Sequence, residues 1–510
     1  MSTDCFMLHR HNSGIIKTIR KDTMNTFFYP LQKLNGFERA KECLDTGKTC
    51  QVTGCADSQL AHFITGLSDG YKNKVIVTFS GTKAKELYED LKAFDKNVVL
   101  YPAKDFIFFS ADVHGNVILQ QRLECIKKLV EDKPCTIVTT ADGLMDKIMP
   151  LDRIKENVLE ISEGSIIEMD AIRHKLVQMG YEGAEQVESP GQFAIRGSII
   201  DIYTLTDEVP YRIDMWDDEV DIIKSFEVET QRSIENLEKI TIYPATDYVL
   251  TKEEIRAGID KIKKDLKKNS EALRKQFKTE EAHRLEVIIK EFIDNEEINE
   301  NGMSFDSYVN YFYDGMVSFI DYLKDAAFFI DEPKRVDEQM KAVETEFRDS
   351  MSNRLEKGYV LPGQTDIVWS RKTIESKLDS VKKVLFTSLD QTVKNFTVDE
   401  IASVEAKTIS PYNNKFEMLV EDLKKYKKQK YQVIMVCASL TRAKRLAEDL
   451  RGFGISAFYE EDKEREALSG EVMIVTGHLR GGFAYPMIKF VVISDTDIFG
   501  EKKKKRRTTD

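Results

Sequence analysis

The chain is predicted to be an α/β protein, a discontinuous parallel-sheet domain interrupted by a small α+β module and followed by a separate small α/β domain. Three observations carry this expectation. Residues 24–148 alternate short apolar strands with amphipathic helices, the pattern of a parallel sheet covered on both faces. Residues 150–248 switch to a period of two with frequent turns, as half-buried antiparallel strands do. Residues 405–500 start the strand–helix rhythm again.

In order, Thr49–Thr53 reads as a strand and Ser58–Leu67 as a helix. Lys74–Phe79 is a buried strand, Lys83–Phe94 a helix and Asn97–Tyr101 a further strand. Val117–Val130 has apolar residues at helical spacing, and Cys135–Thr140 closes the series. In the next stretch Phe193–Tyr203, Tyr211–Trp216, Glu219–Phe226 and Ile240–Tyr243 read as strands, with turns at Ser189-Pro190-Gly191 and Asp217-Asp218. Long charged helices are predicted over Lys252–Ile293, Phe305–Leu323 and Asp337–Lys357. Between and after them, Ala327–Ile330 and Val384–Thr387 are short apolar strands with no sheet of their own nearby, so they are expected to return to the first sheet. The last unit is predicted from a helix at Phe416–Tyr426, a strand at Gln432–Cys437, a helix at Leu440–Leu450, and strands at Val472–Thr476 and Phe490–Ser494.

A chain of 510 residues makes about three or four domains. The 42% hydrophobic and 32% charged content is that of ordinary globular folds. No apolar run reaches the roughly 20 residues that span a bilayer, and the first residues lack the apolar stretch of a secretory signal. The seven cysteines form no C-x-x-C pair, so neither disulfides nor structural zinc are expected and a reducing, cytoplasmic setting fits. The histidines offer no ligand pair, and no metal or cofactor is expected. A formal net charge of −12 disfavours a general phosphate-gripping protein and favours a protein partner. Lys502 to Arg507 is the local exception; a solvated linker and a basic arm both remain open readings of it.

The first strand runs Gln51-Val52-Thr53 into Gly54-Cys55-Ala56-Asp57-Ser58 and then a helix. That is the placement of a phosphate loop, which needs glycines for backbone donation, a Lys for the β/γ-phosphates and a hydroxyl for magnesium. Here Asp57 stands at the Lys position, Ala56 at the second glycine and Gln51 at the first. A carboxylate repels a triphosphate, and the lost cation removes a large stabilising interaction. The expectation is a degenerate P-loop NTPase (helicase-like) domain, its candidate loop residues being Thr53, Gly54, Asp57 and Ser58. Asp57-Ser58 has a second reading as a helix cap. Asp331-Glu332, at the end of an apolar strand, has the form of the matching acidic pair, and a plain polar strand exit is its alternative.

Further residues carry a family resemblance. Gly180-Tyr181, Gln186-Val187 and Pro190 to Gly197 are followed by Ile200-Asp201-Ile202 and Tyr211-Arg212-Ile213-Asp214. Asp218-Glu219-Val220, Glu229 to Ser233 and Tyr243-Pro244-Ala245 complete the run, and Asp331-Glu332-Pro333, Leu361 to Gln364 and Asp497 to Gly500 follow in order. Over about 24–507 the chain resembles the UvrB-homology region of the bacterial transcription-repair coupling factors, with the domain after it. Residues 1–23 fall outside the resemblance and, lacking periodicity and mixing small, polar and basic residues, are expected to be a disordered leader. The resemblance implies a UvrB-like degenerate nucleotide-binding domain at 24–148 and 249–395, a UvrA-interaction module at 149–248, a small α/β domain at 396–500 and a basic linker at 501–510. It implies a scaffold that recruits UvrA and is not an enzyme by itself, the alternative being an active ATP-dependent helicase related to UvrB. RNA polymerase and DNA would be partners only through later parts of the family, beyond this sequence, and a chain of this extent is expected to present its UvrA-facing surface unmasked. By motif position the UvrA-binding residues are Arg196, Arg212 and Trp216. Arg212 and Trp216 lie four apart on one strand and so face the same side; Arg and Trp are enriched at interface hot spots. A core role for Trp216 is the other reading.

Overall fold

The computed structural model describes residues 26–55, 57–104, 113–298, 306–462 and 464–500. The leader 1–23, Ala56 and the basic run Lys502 to Arg507 lie outside the described residues.

The first sheet has seven parallel strands, in the order Glu400–Ser403, Cys50–Thr53, Lys383–Thr387, Ala327–Asp331, Asn73–Thr78, Cys135–Thr140 and Val98–Tyr101. Several are buried along their whole length, Cys135–Thr140 and Ala327–Asp331 among them, because helices cover both faces and leave no solvated side to alternate toward. Glu400–Ser403, inside the stretch assigned to the last domain, pairs instead with Cys50–Thr53. The boundary read at 395/396 therefore falls too early for the sheet. This strand is a short edge, exposed at three of its four residues, and carries no long apolar run to betray it.

Residues 182–237 form a six-stranded sheet, in the order Ser233–Leu237, Glu219–Phe226, Tyr211–Trp216, Ile199–Ile202, Gln192–Arg196 and Glu182–Gly183. The run predicted as one strand over Phe193–Tyr203 is a hairpin folded at Gly197, whose φ is +61°; a left-handed backbone is what glycine supplies at a turn. Lys239–Ile242 leaves this sheet and pairs with Leu159–Ser162 in a separate two-stranded ribbon.

The helix predicted over Lys252–Ile293 is two helices, Lys252–Lys275 and Thr279–Ile298, packed side by side. The break falls at Phe277, whose φ of +62° cannot continue a right-handed helix. Most of the helix predicted over Phe305–Leu323, whose first residue lies outside the described ones, is replaced by a single turn at Val309–Phe312 and a 3-10 turn at Phe319–Tyr322. Ser318 caps the second turn by accepting from the Ile320 N–H, and the buried Tyr308, Tyr311 and Phe312 anchor the first turn in a core.

The last sheet places Lys407–Thr408 and Phe483–Tyr485 antiparallel beside a parallel core of Phe490–Ser494, Gln432–Cys437, Val472–Thr476 and Ala457–Tyr459. It is less separate than expected. One continuous core contains Val52, Ile76, Phe329 and Phe386 of the first sheet together with Val436, Met473, Tyr485 and Phe490 of the last. Arg480 reinforces the junction, donating from its backbone N–H and its guanidinium to the fully buried Asp90 carboxylate at 2.8–3.1 Å. Among the described residues no helix is long and apolar enough to cross a membrane.

Candidate docking surface

The six-stranded sheet has one dry face. Ile200, Ile213, Met215, Val220 and Ile223 point into the large core shared with the first sheet. Alternation along Tyr211–Trp216 therefore turns Arg212, Asp214 and Trp216 the other way. Strand register sets out that outer face in rows. One row runs Ala194, Asp201, Arg212, Lys224 and Asn236. The next runs Arg196, Ile199, Asp214 and Ile222. At the end of the sheet Trp216 lies opposite Glu219, which is bridged in turn to Ile166.

Asp201 organises the surface. It is fully buried, and a buried carboxylate must be paired. Arg212 forks onto it, Nε to Oδ1 at 2.7 Å and Nη2 to Oδ2 at 2.8 Å. Arg196 Nη2 donates to the same Oδ2 at 2.6 Å. Arg212 also donates to the Gln231 side chain and carbonyl at 2.9 and 3.3 Å, and lies over the Phe226 ring at 4.4 Å. Its hydrogen bonds to Asp201 push its already high pKa higher still.

The three predicted docking residues thus differ. Trp216 is 78% exposed at the tip of the hairpin closed by Asp217-Asp218, so the core reading fails for it. Arg196 keeps 42% of its side chain exposed and Arg212 only 16%. Sequence reasoning missed Asp201 as the anchor of both arginines. The signal was present: an Asp within the apolar strand Ile199–Ile202 demands a cationic partner. It also missed Ile166, 74% exposed beside Glu219.

The loop after the first strand is built into the sheet. Gly54, at φ +87°, donates its N–H to the Thr387 carbonyl at 3.0 Å, and the Val404 N–H donates to the Thr53 carbonyl at 2.9 Å. A Cβ on Gly54 would collide with the Val404 carbonyl oxygen. Asp57 opens the helix Asp57–Leu67 at φ +51°. Ser58 is buried and its hydroxyl has no partner among the described residues, so the capping role considered for it is not made. One turn on, a relay crosses to the last sheet. Gln59 Nε2 donates to the Tyr485 hydroxyl at 2.9 Å, that hydroxyl meets His62 Nδ1 at 2.9 Å, and His62 Nε2 meets the Phe27 carbonyl at 2.8 Å. Nε2 must carry the ring proton, because a carbonyl only accepts. Burial lowers the His62 pKa to about 4 and pushes the Cys55 thiol up to about 12.

The acidic pair is also engaged. Asp331 accepts from the Thr78 hydroxyl at 2.8 Å, and burial raises its pKa. Glu332, at φ +52°, accepts from the Ser388 N–H at 2.6 Å and from Gln391 Nε2 at 3.2 Å. Gln51 Nε2 donates to the Gln391 carbonyl at 2.8 Å and the Thr387 hydroxyl at 3.2 Å. Loop and acidic pair lie at the same ends of the two strands that flank Lys383–Thr387, and Gly54, Gln51 and Glu332 spend their polar groups on the end of that middle strand and the loop after it. No cluster of metal-ligating side chains occurs among the described residues.

Residues 159–248 match the family model of the UvrB interaction domain, which begins at the two-stranded ribbon and takes in the whole six-stranded sheet. A transcription-repair-coupling factor of Bacillus subtilis (strain 168) is 28% identical over 460 residues, covering 89% of this chain and 38% of that protein. That of Staphylococcus haemolyticus (strain JCSC1435) is 28% identical over 461 residues with the same shares. The chain thus spans about two fifths of the length of these relatives. A solved structure titled XPD_Helicase aligns with 88% of this chain and 81% of its own at 12% identity, with a TM-score of 0.23, too low to bear on the fold. Over most of its length the chain is similar to the transcription-repair-coupling factors, and its six-stranded module falls in the region matched by the UvrB interaction domain.

Proposed function

We propose that this chain is a non-catalytic scaffold that recruits UvrA in transcription-coupled nucleotide excision repair, through the outer face of its six-stranded sheet. The observation that carries the reading is Trp216. It stands 78% exposed on the hairpin tip of the matched domain, and a large aromatic left in water on a rigid strand end is the kind of group that anchors interfaces. Arg196 supports it from the next row, held in place by Asp201 but still half exposed. Arg212 serves as a positioning residue, since most of its guanidinium is occupied by Asp201 and Gln231. In this scheme residues 149–248 dock, 24–148 and 249–395 together with the edge strand Glu400–Ser403 form the supporting nucleotide-binding-like domain, and the stretch after that strand braces it.

The degenerate loop supports the non-catalytic part. The Gly54 N–H already donates within the sheet, Asp57 replaces the cation, and Asp331 and Glu332 are committed to Thr78, Ser388 and Gln391. Such residues do not fit a magnesium triphosphate. The test pairs two assays on the purified chain: titration against UvrA, and ATP turnover with and without DNA. Saturable UvrA binding lost in Trp216→Ala, with no turnover above a mock preparation, is expected. DNA-stimulated turnover would favour the helicase reading instead.

A further inference from the structure

The helical hairpin of Lys252–Lys275 and Thr279–Ile298 ends in water on an aromatic ring. Phe277, in the link between the helices, is 94% exposed and holds φ at +62°. A phenylalanine in the left-handed region is conformationally costly, and its exposure returns no burial. The tip is nevertheless well anchored behind the ring. Lys278 pairs with Glu356 at 3.2 Å, Arg284 donates to the Lys357 carbonyl at 2.6 Å, and the Gly358 backbone sits hard against Glu281. At the same end Tyr359 is 46% exposed, with Arg284 over its ring at 4.8 Å.

The helix leading to this tip is basic on its solvated side. Lys264, Lys267, Lys268 and Lys275 are exposed and carry no ion pair among the described residues. They recur at i, i+3, i+4 and i+11, so they share one side of the helix, with Glu271 the acid among them. Arg274, beside them, is half exposed and pairs with Glu286 at 2.8 Å. From Lys264 to Phe277 the row runs about 20 Å. In a chain with net charge −12 this is a strong local reversal of sign.

We infer that the hairpin tip is a binding site for single-stranded DNA, with Phe277 stacking on an unpaired base and the lysine row lying along the phosphates. Cations that track a backbone, joined to an exposed aromatic face, are the two parts such sites combine. Duplex DNA hides the base faces a ring would stack on, and a purely electrostatic contact would leave Phe277 without a role. The site is on a different element from the UvrA-facing sheet and does not depend on that assignment.

The experiment is fluorescence anisotropy of the full chain with a labelled oligothymidylate of about 20 nucleotides, a duplex of equal length, and vesicles containing phosphatidylserine. Expected is low-salt binding that prefers the single strand. Phe277→Ala should weaken it about tenfold. Lys268→Glu with Lys275→Glu should weaken it at least as much and flatten the salt dependence by about 0.7 in slope for each phosphate left without its lysine. All variants should keep the wild-type melting temperature and wild-type UvrA binding. Absence of single-strand binding, equal binding of Phe277→Ala, a preference for duplex, or binding of the vesicles instead of DNA would each overturn the inference.

Discussion

Arg212 neutralises Asp201 across adjacent strands, gripping both oxygens of a carboxylate that has no exposed surface. The two residues face each other in register, so the ion pair belongs to the sheet as much as to any partner that docks on it. Removing Arg212 leaves a buried charge held only by the half-exposed Arg196. Arg212→Ala should therefore destabilise the module by about 3 kcal/mol, against about 1 kcal/mol or less for Arg196→Ala. Urea unfolding followed by circular dichroism measures the difference; equal losses would refute the asymmetry.

Trp216→Ala should leave the fold intact, because the side chain buries little, while weakening UvrA binding by roughly 30-fold, as a hot-spot residue does. Circular dichroism and a binding titration run side by side test the two halves. Wild-type affinity in a folded variant would remove Trp216 from the interface.

Asp57→Lys restores the missing cation and should still give no ATP turnover. The Gly54 N–H remains bonded to Thr387, and Glu332 remains occupied by Ser388 and Gln391. A steady-state phosphate-release assay with DNA present checks this; measurable turnover would show that the loop can rearrange.

His62 sets a pH dependence. Its folded pKa is about 4, lowered by burial from 6.5, so the unfolded chain takes up the proton first as pH falls. The neutral ring's contribution is complete above about pH 6.5 and is lost as pH falls through about 4. The loss is up to about 3 kcal/mol. Melting temperatures of wild type and His62→Gln at pH 7, 5 and 4 should converge toward the acid end. Parallel curves would mean that the ring does not titrate with unfolding.

The sheets were legible where the chemistry is local. β-branched runs such as Cys135–Thr140, and clean alternation such as Tyr211–Trp216, appear in the structure with the same bounds. Three features were not legible, each for a physical reason. Glu400–Ser403 is a short, mostly exposed edge strand whose partner lies far away in sequence. The helix break at Phe277 carries neither Gly nor Pro, and the strain is imposed by how the two helices pack. The uneven duties of Arg196 and Arg212 depend on which of them lies directly across from Asp201, a matter of register that a motif does not contain.

The first sheet also dictates an order of events during synthesis. Cys50–Thr53 finds its two neighbours only in Lys383–Thr387 and Glu400–Ser403, more than 300 residues downstream. At about 5–20 residues per second, a ribosome needs on the order of half a minute to deliver them. The six-stranded sheet between 182 and 237 is complete long before then and pairs entirely within itself. The nascent chain therefore emerges with its six-stranded module able to form while the strand Cys50–Thr53 waits with both edges open until the far end arrives.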